Sequence, residues 1–269
     1  MSSAGQVAVV TGAGRGIGRE IALALAADGL LVGLLGRDRE TLDRVHDEIV
    51  ASGGRALVLV ADVTRRDQVD EAVAAVTRGL GPVDLLVSNA GLRERAAAAP
   101  WEGDPDDWWR VVETNLRGPL LLLQAVVPSM VRRGAGRVLH VGSGMGQRPN
   151  PDWSAYAVSK AGLSRLTDSL AAALDGTGVV VLEVSPGLVR TDMTETMWGP
   201  PDEQSWNDPA RIVDAVLRFA RGDLDRLHGR FVHAARDDLD ALLAAAPRIE
   251  AQEARTLRLR PYGADDPHA

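Results

Sequence analysis

Apolar residues along this chain alternate between two spacings. Short, nearly continuous aliphatic runs recur at Val7 to Thr11, Leu30 to Leu35, Ala56 to Val60, Val83 to Ser88, Arg137 to Val141 and Val179 to Val184, with a weaker one around Phe231 and Val232. Between them, stretches such as Ile17 to Ala27, Leu42 to Val50 and Val69 to Leu80 space their apolar residues three and four apart. The first pattern predicts strands buried on both faces and the second predicts amphipathic helices. Seven such strands alternating with helices predict an α/β fold: a doubly wound, seven-stranded parallel sheet with helices on both faces. No internal repeat, low-complexity linker or long charge run interrupts the alternation, so one domain spanning residues 1–269 is expected. After about Ala234 the pattern changes. Asp237 and Asp238 followed by Leu239, Leu242 and Leu243 read as an added C-terminal helix, and Pro261 to Ala269 as a frayed end.

Composition narrows the partners. At 269 residues and 45% hydrophobic, the chain suits one α/β domain. A net charge of −7 gives no basic footprint for a nucleic acid. Met1 to Gln6 leave no room for a leader before strand-like sequence begins, and Leu120 to Val127, interrupted by Gln124 and closed by Pro128, falls short of the ~20 apolar residues of a membrane span. The expectation is a soluble, cytoplasmic protein with no membrane partner. Zero cysteines exclude disulfides, zinc thiolates and thiol catalysis. His46, His140, His228, His233 and His268 lack ligand spacing, so no metal is expected.

Two segments carry candidate chemistry. Thr11-Gly12-Ala13-Gly14-Arg15-Gly16-Ile17-Gly18 joins the first strand to the first helix. Glycines there permit a tight turn and let the backbone approach a pyrophosphate at the helix N-terminus. The second segment is Tyr156-Ala157-Val158-Ser159-Lys160, which holds the chain's only lysine four residues after one of its 2 tyrosines. On a helix both side chains share a face, and an ammonium beside a phenol favours the phenolate. The same spacing also suits a surface pair with no role.

Taken in order, these residues resemble the short-chain dehydrogenase/reductase family in its single-domain, Rossmann-like branch. The likeness covers roughly residues 5–233. Gly12, Gly16 and Gly18 fit its Thr-Gly-x-x-x-Gly-x-Gly pattern, and Asn89-Ala90-Gly91 follows the fourth strand. Asp62-Val63 fits the pair that contacts adenine, and Pro186-Gly187-Leu188-Val189-Arg190-Thr191 the segment that touches the nicotinamide. Ile17 belongs to the same expected cofactor contacts. Asn115, Ser143, Tyr156 and Lys160 fall where the family has its catalytic residues. Two positions depart from the common pattern: Ser88 before Asn-Ala-Gly, and Gly142 before Ser143. Neither removes a reacting group.

The resemblance implies an oxidoreductase. Tyr156 would exchange a proton with the substrate oxygen, Lys160 would lower the tyrosine pKa and bind the nicotinamide ribose, Ser143 would hold the substrate oxygen, and Asn115 would support a water leading out from Lys160. Gly36 stands where an aspartate selects NAD, while Arg37 and Arg15 stand where basic residues select NADP, so NADP(H) is the expected cofactor; Asp38 could instead pair with Arg37. Met145, Trp153 and the segment Asp192 to Asp208, with Met193, Met197, Trp198, Pro200, Pro201 and Trp206, would surround a hydrophobic or ring-containing ketone or alcohol. The same tryptophans would also serve as loop packing. Trp108 and Trp109 precede a long helix that in the family often forms a subunit interface, which implies a homo-oligomer, a dimer or tetramer. Two other readings stay open here: a non-catalytic NADP-binding regulator, and an enzyme of the same fold working as a lyase, epimerase or imine reductase.

Overall fold

The computed structural model describes residues 4–198, 206–263 and 265–266. Pro200, Pro201, His268 and the end of the tail lie outside the described residues, as does the side chain of Trp198. Seven parallel strands form one sheet in the order β3-β2-β1-β4-β5-β6-β7. They are β1 (Val7–Thr11), β2 (Leu31–Gly36), β3 (Arg55–Val60), β4 (Leu85–Ser88), β5 (Gly136–Val141), β6 (Val179–Ser185) and β7 (Phe231–His233). Between and after them run α1 (Gly16–Ala27), α2 (Arg39–Ala51), α3 (Arg66–Gly79), α4 (Pro105–Val112), α5 (Gly118–Arg133), α6 (Ser154–Leu174), α7 (Asp192–Trp198), α8 (Ala210–Arg221), α9 (Leu239–Ala244) and α10 (Ala246–Ala251).

The continuous apolar runs are explained by burial on two sides. In β1, Ala8 and Val10 face one core with Ile21 and Leu25 of α1, Val45 of α2 and Phe219 of α8. Val7 and Val9 face the other, with Val69 and Val76 of α3 and Leu122 and Met130 of α5. A fully buried side chain such as Phe219, at 0% exposure, contributes about 1.5–3 kcal/mol by leaving water. The C-terminal helices are part of this packing, since Leu239 and Leu242 of α9 and Ala246 and Ile249 of α10 close over the first core.

Element boundaries move by one to three residues from the sequence reading. The largest strand difference is at β4, which starts at Leu85; just before it, the Asp84 carboxylate accepts from the Val7 N–H at 3.0 Å and from Arg133 at 3.1 Å. The chain around Asn115 is not a plain α-helix. Glu113–Arg117 forms a π-helical turn between α4 and α5, and α5 then runs on through Pro128 to Arg133. Among the described residues no helix is long and apolar enough to cross a membrane.

The connectivity positions the site. From β1 the chain builds outward to β2 and β3, then returns to place β4 on the other flank of β1. At that reversal the loops after β1 and β4 diverge to opposite faces, opening a crevice beyond the carboxyl ends of the strands, where open α/β sheets bind ligands.

Candidate active site

The crevice is a cleft of about 640 Å³. Its first wall is the turn after β1. Gly12 has φ +64, and a Cβ there would stand 3.1 Å from Ala90 Cα; a Cβ on Gly18 would stand 2.2 Å from the Gly12 carbonyl oxygen. Glycine is therefore dictated by both conformation and space. The first turn of α1, which starts at Gly16, opens into the cleft with the free N–H groups of a helix N-terminus. Backbone donors, bare of side chains and facing a groove, make a cradle that fits a pyrophosphate.

Thr11 and Asn89 fix that turn. The Thr11 hydroxyl accepts from the N–H groups of Asn89 and Ala90, both at 2.9 Å, while Asn89 Nδ2 donates to the Thr11 carbonyl at 2.9 Å. Thr11 is 1% exposed, so these bonds form in a dry environment. Asn89, expected as a cofactor contact, thus also holds the cradle in shape.

Farther along, Gly36, Arg37, Asp38, Asp62 and Val63 line one end of the cleft. Arg37 is largely exposed and lies 4.0 Å from Asp62. Asp38 does not neutralise it: its carboxylate accepts from the Glu40 N–H at 3.1 Å and caps α2. Arg15 reaches across the mouth, donating to the Asp192 carboxylate of α7 at 2.6 Å. Asn89, Ala90 and Gly91 line the floor, and Pro186, Gly187, Val189 and Thr191 the opposite wall, with Ser143, Tyr156 and Lys160 between them.

Tyr156 and Lys160 lie on one face of α6, as their spacing predicts, with the ammonium 5.6 Å from the phenol ring centroid. Burial pushes the Tyr156 phenol above its ordinary value, opposed by the Ser143 hydroxyl. The spacing alone predicts a lysine that lowers this pKa; in the structure burial of the phenol dominates, and the ammonium donates to the Val141 carbonyl at 2.8 Å. Lys160 itself is 4% exposed, and burial pushes its pKa down to about 8, against the pull of Glu183. Ser143, two residues past the end of β5, caps the short 3₁₀ turn Gly144–Gln147, accepting from the Met145 N–H at 3.2 Å.

Asn115 sits beside this group without lining the cleft. Its Oδ1 accepts from the Leu92 N–H and its Nδ2 donates to the Leu92 carbonyl, both at 2.7 Å, and to Ser159 Oγ at 3.0 Å. The π-helical turn is what aims it there. It ties the loop after β4 to the helix bearing Tyr156.

Several supporting residues carried no sequence signal. Glu94, 9% exposed, accepts from the N–H groups of Ala155 at 2.6 Å and Tyr156 at 3.3 Å, so it caps α6 from the loop after β4. Arg93 lies over the Trp153 ring at 4.7 Å and donates to the Met193 carbonyl and Thr196 hydroxyl of α7. Met193 lines the cleft, and Trp153, 7% exposed, is packed beneath Arg93. Trp108 donates to Ser154 Oγ at 3.0 Å, whereas Trp109 is 60% exposed.

A glycine cradle at the first βα turn, a cleft at the reversal of strand order and a tyrosine–lysine pair in its floor define a dinucleotide-binding α/β enzyme. The family model described as short chain dehydrogenase matches residues 6–200. A short chain dehydrogenase of Pseudocercospora fijiensis is 36% identical over 252 residues, covering 87% of this chain and 81% of its own length. Among solved structures, a gluconate 5-dehydrogenase from Burkholderia cenocepacia in complex with NADP and tartrate superposes with a TM-score of 0.80, at 26% identity, over 86% of this chain and 93% of that one. An NAD+-bound xylitol dehydrogenase gives 0.81 at 28% identity, over 88% and 100%. The chain belongs to the short-chain dehydrogenase/reductase family and is an oxidoreductase of that family that uses a nicotinamide cofactor.

Proposed function

We propose that this enzyme interconverts a ketone and a secondary alcohol with NADP(H), with Ser143, Tyr156 and Lys160 as its catalytic residues and Asn115 holding them in register. One observation carries the reading: the three side chains line one cleft together with Arg15 and Arg37, and position 36 of that cleft is a glycine with no acidic side chain. The cofactor, when bound, supplies or accepts the hydride. Its pyrophosphate would lie on the Gly12, Gly16, Ile17 and Gly18 turn, its adenine beside Asp62 and Val63, and its nicotinamide end among Asn89, Ala90, Gly91, Pro186, Gly187, Val189 and Thr191.

The protein's own groups handle the proton. Ser143 donates to the substrate oxygen and fixes it. Tyr156, kept neutral by burial, gives that oxygen a proton in the reducing direction and recovers it in the other. Lys160, charged below about pH 8, stabilises the tyrosinate left behind and anchors the nicotinamide ribose. Met193 gives the cleft an apolar contact, with Trp153 packed beneath Arg93 behind it, which suits a hydrophobic or ring-containing substrate.

Arginines at positions 15 and 37 favour the 2′-phosphate over a bare 2′-hydroxyl. The complex of the NADP-bound neighbour supports this choice, and the NAD+-bound neighbour makes it worth measuring. The test is kcat/KM for NADPH and NADH with a panel of hydrophobic ketones. NADPH should win, and Gly36→Asp with Arg37→Leu should reverse the ratio. A wild-type preference for NADH would defeat the assignment. Ketone-dependent NADPH loss with matching alcohol formation separates a ketoreductase from a lyase or epimerase.

A further inference from the structure

Behind α6 lies a buried acid that this scheme leaves unused. Glu183 of β6 is 2% exposed. Its Oε1 accepts from Ser164 Oγ at 2.9 Å, and Ser164 Oγ accepts from Gln147 Nε2 at 3.0 Å. Gln147 is exposed, so a short polar chain runs from solvent to the carboxyl group. Ser164 follows Lys160 by one helical turn, and the carboxyl group and the ammonium influence each other.

Space for the carboxyl is made by Gly142, where a Cβ would stand 2.1 Å from Glu183 Oε1. The glycine before Ser143 and the glutamate on the next strand are therefore one feature. A serine at 142 would have to evict the acid.

We propose that Glu183 is a positioning residue for the proton-transfer site: its carboxylate is the countercharge that keeps Lys160 protonated behind Tyr156, while the Val141 carbonyl seats the ammonium. Burial pushes the carboxyl up to about 7 and the ammonium down to about 8, so between those values both are charged, each supported by the other. The Ser164 hydroxyl has one proton and two acceptors in reach, Glu183 Oε1 and the Lys160 carbonyl at 3.2 Å. It serves the carboxylate when Glu183 is ionised. When Glu183 is protonated, the carboxyl can donate to Ser164 while Ser164 turns to the carbonyl, so the state of the acid is passed along without backbone movement. The charged and titratable groups around Glu183 are Lys160 and Asp168 of α6 and His140, its register partner on β5; on its other side β7 places Phe231. Asp168 opposes ionisation, and His140 is neutral because burial pushes its pKa down to about 3.

This inference rests on Tyr156 and Lys160 acting as proposed above. Its test is the pH dependence of kcat for ketone reduction at saturating NADPH, with NADPH affinity at pH 6 measured alongside. Glu183→Gln keeps the shape and removes the charge. The alkaline limb, near pH 8 in the wild type, should fall by about one pH unit, with affinity at pH 6 unchanged. A limb that stays in place overturns the proposal. Should Glu183→Gln fail to fold, Ser164→Ala replaces it: loss of the donor that favours ionised Glu183 should displace the limb in the same direction, and an unmoved limb again overturns the idea. Tyr156→Phe is run in parallel; full activity there overturns the underlying assignment as well, which distinguishes the two failures.

Discussion

Burial acts on Tyr156 and Lys160 in opposite directions, which suits the roles proposed for them in reduction. The phenol is raised, hence protonated; the ammonium is lowered only to about 8, hence still charged at neutral pH. Ketone reduction should therefore decline as pH rises through about 8, where Lys160 loses its proton, and a pH–rate profile at saturating cofactor checks this. Tyr156→Phe should keep fold and cofactor affinity while losing about 10²-fold or more in kcat, since only the proton donor is removed. Lys160→Arg should be nearly as damaging. The ammonium occupies a tight place, 4% exposed and 2.8 Å from the Val141 carbonyl. A planar guanidinium cannot fill it without displacing its neighbours, and misplacement of about 1 Å costs on the order of 10²-fold in rate. Steady-state kinetics of the folded variant, confirmed by circular dichroism, decides the point. At this scale the sequence was readable where chemistry is local. Tyr156 and Lys160 share a helix turn, so their spacing disclosed the pair. Thr11 and Glu94 act on partners 78 and 61 residues away, and nothing in the neighbouring sequence marks such contacts.

Helix α6 shows how an element depends on another for its end. No side chain of its own N-cap, Trp153, satisfies the first turn, and Glu94 does so from the loop after β4. A carboxylate there also meets the positive end of the helix dipole. Glu94→Ala should cost about 1 kcal/mol, the usual worth of a lost cap. Thermal unfolding should show it as a lowered Tm, and kcat should fall more than KM rises because Tyr156 sits at the affected turn. Glu94→Gln, which keeps an acceptor, should recover part of both. An unchanged Tm for Glu94→Ala would remove the capping role. Strand and helix identities were legible because continuous apolar runs, buried on both faces, differ from 3.6-residue stripes. Their ends were less so. The π-helical turn at Glu113–Arg117 has no periodic signature, since it is set by Asn115 reaching Leu92 and Ser159 in other elements.

For the molecule as a whole, the buried ionisable groups set the response to pH. His140, 0% exposed and bonded to Thr167, has its pKa pushed down to about 3 from 6.5. A depressed folded pKa contributes stability that is present above pH 6.5 and is lost as pH falls toward about 3, because the unfolded chain takes up the proton first. Glu183 acts the other way: its raised pKa contributes stability below pH 4.5 that is lost as pH rises to about 7. The two oppose each other between 4.5 and 6.5; at lower pH Asp107 and Asp237, whose carboxyls are held, despite desolvation, below their ordinary values by arginine and backbone partners, act in the same direction as the histidine. Urea unfolding should therefore find that His140→Gln loses less stability than wild type between pH 4.5 and 3, by about 1.4 kcal/mol per pH unit. Parallel slopes would refute it. The strand order, which the alternating pattern implied only as a parallel sheet, has a further consequence in time. β1 lies mid-sheet between β2 and β4, and its link to β4 spans 77 residues from Val7 to Asp84. A ribosome adding about 5–20 residues per second needs roughly 4–15 s to supply that partner. Throughout that interval the nascent chain carries an apolar strand with one bare hydrogen-bonding edge, the kind of surface that recruits other chains. Shielding during synthesis, more than the stability of the finished sheet, should then govern how much active enzyme a cell recovers.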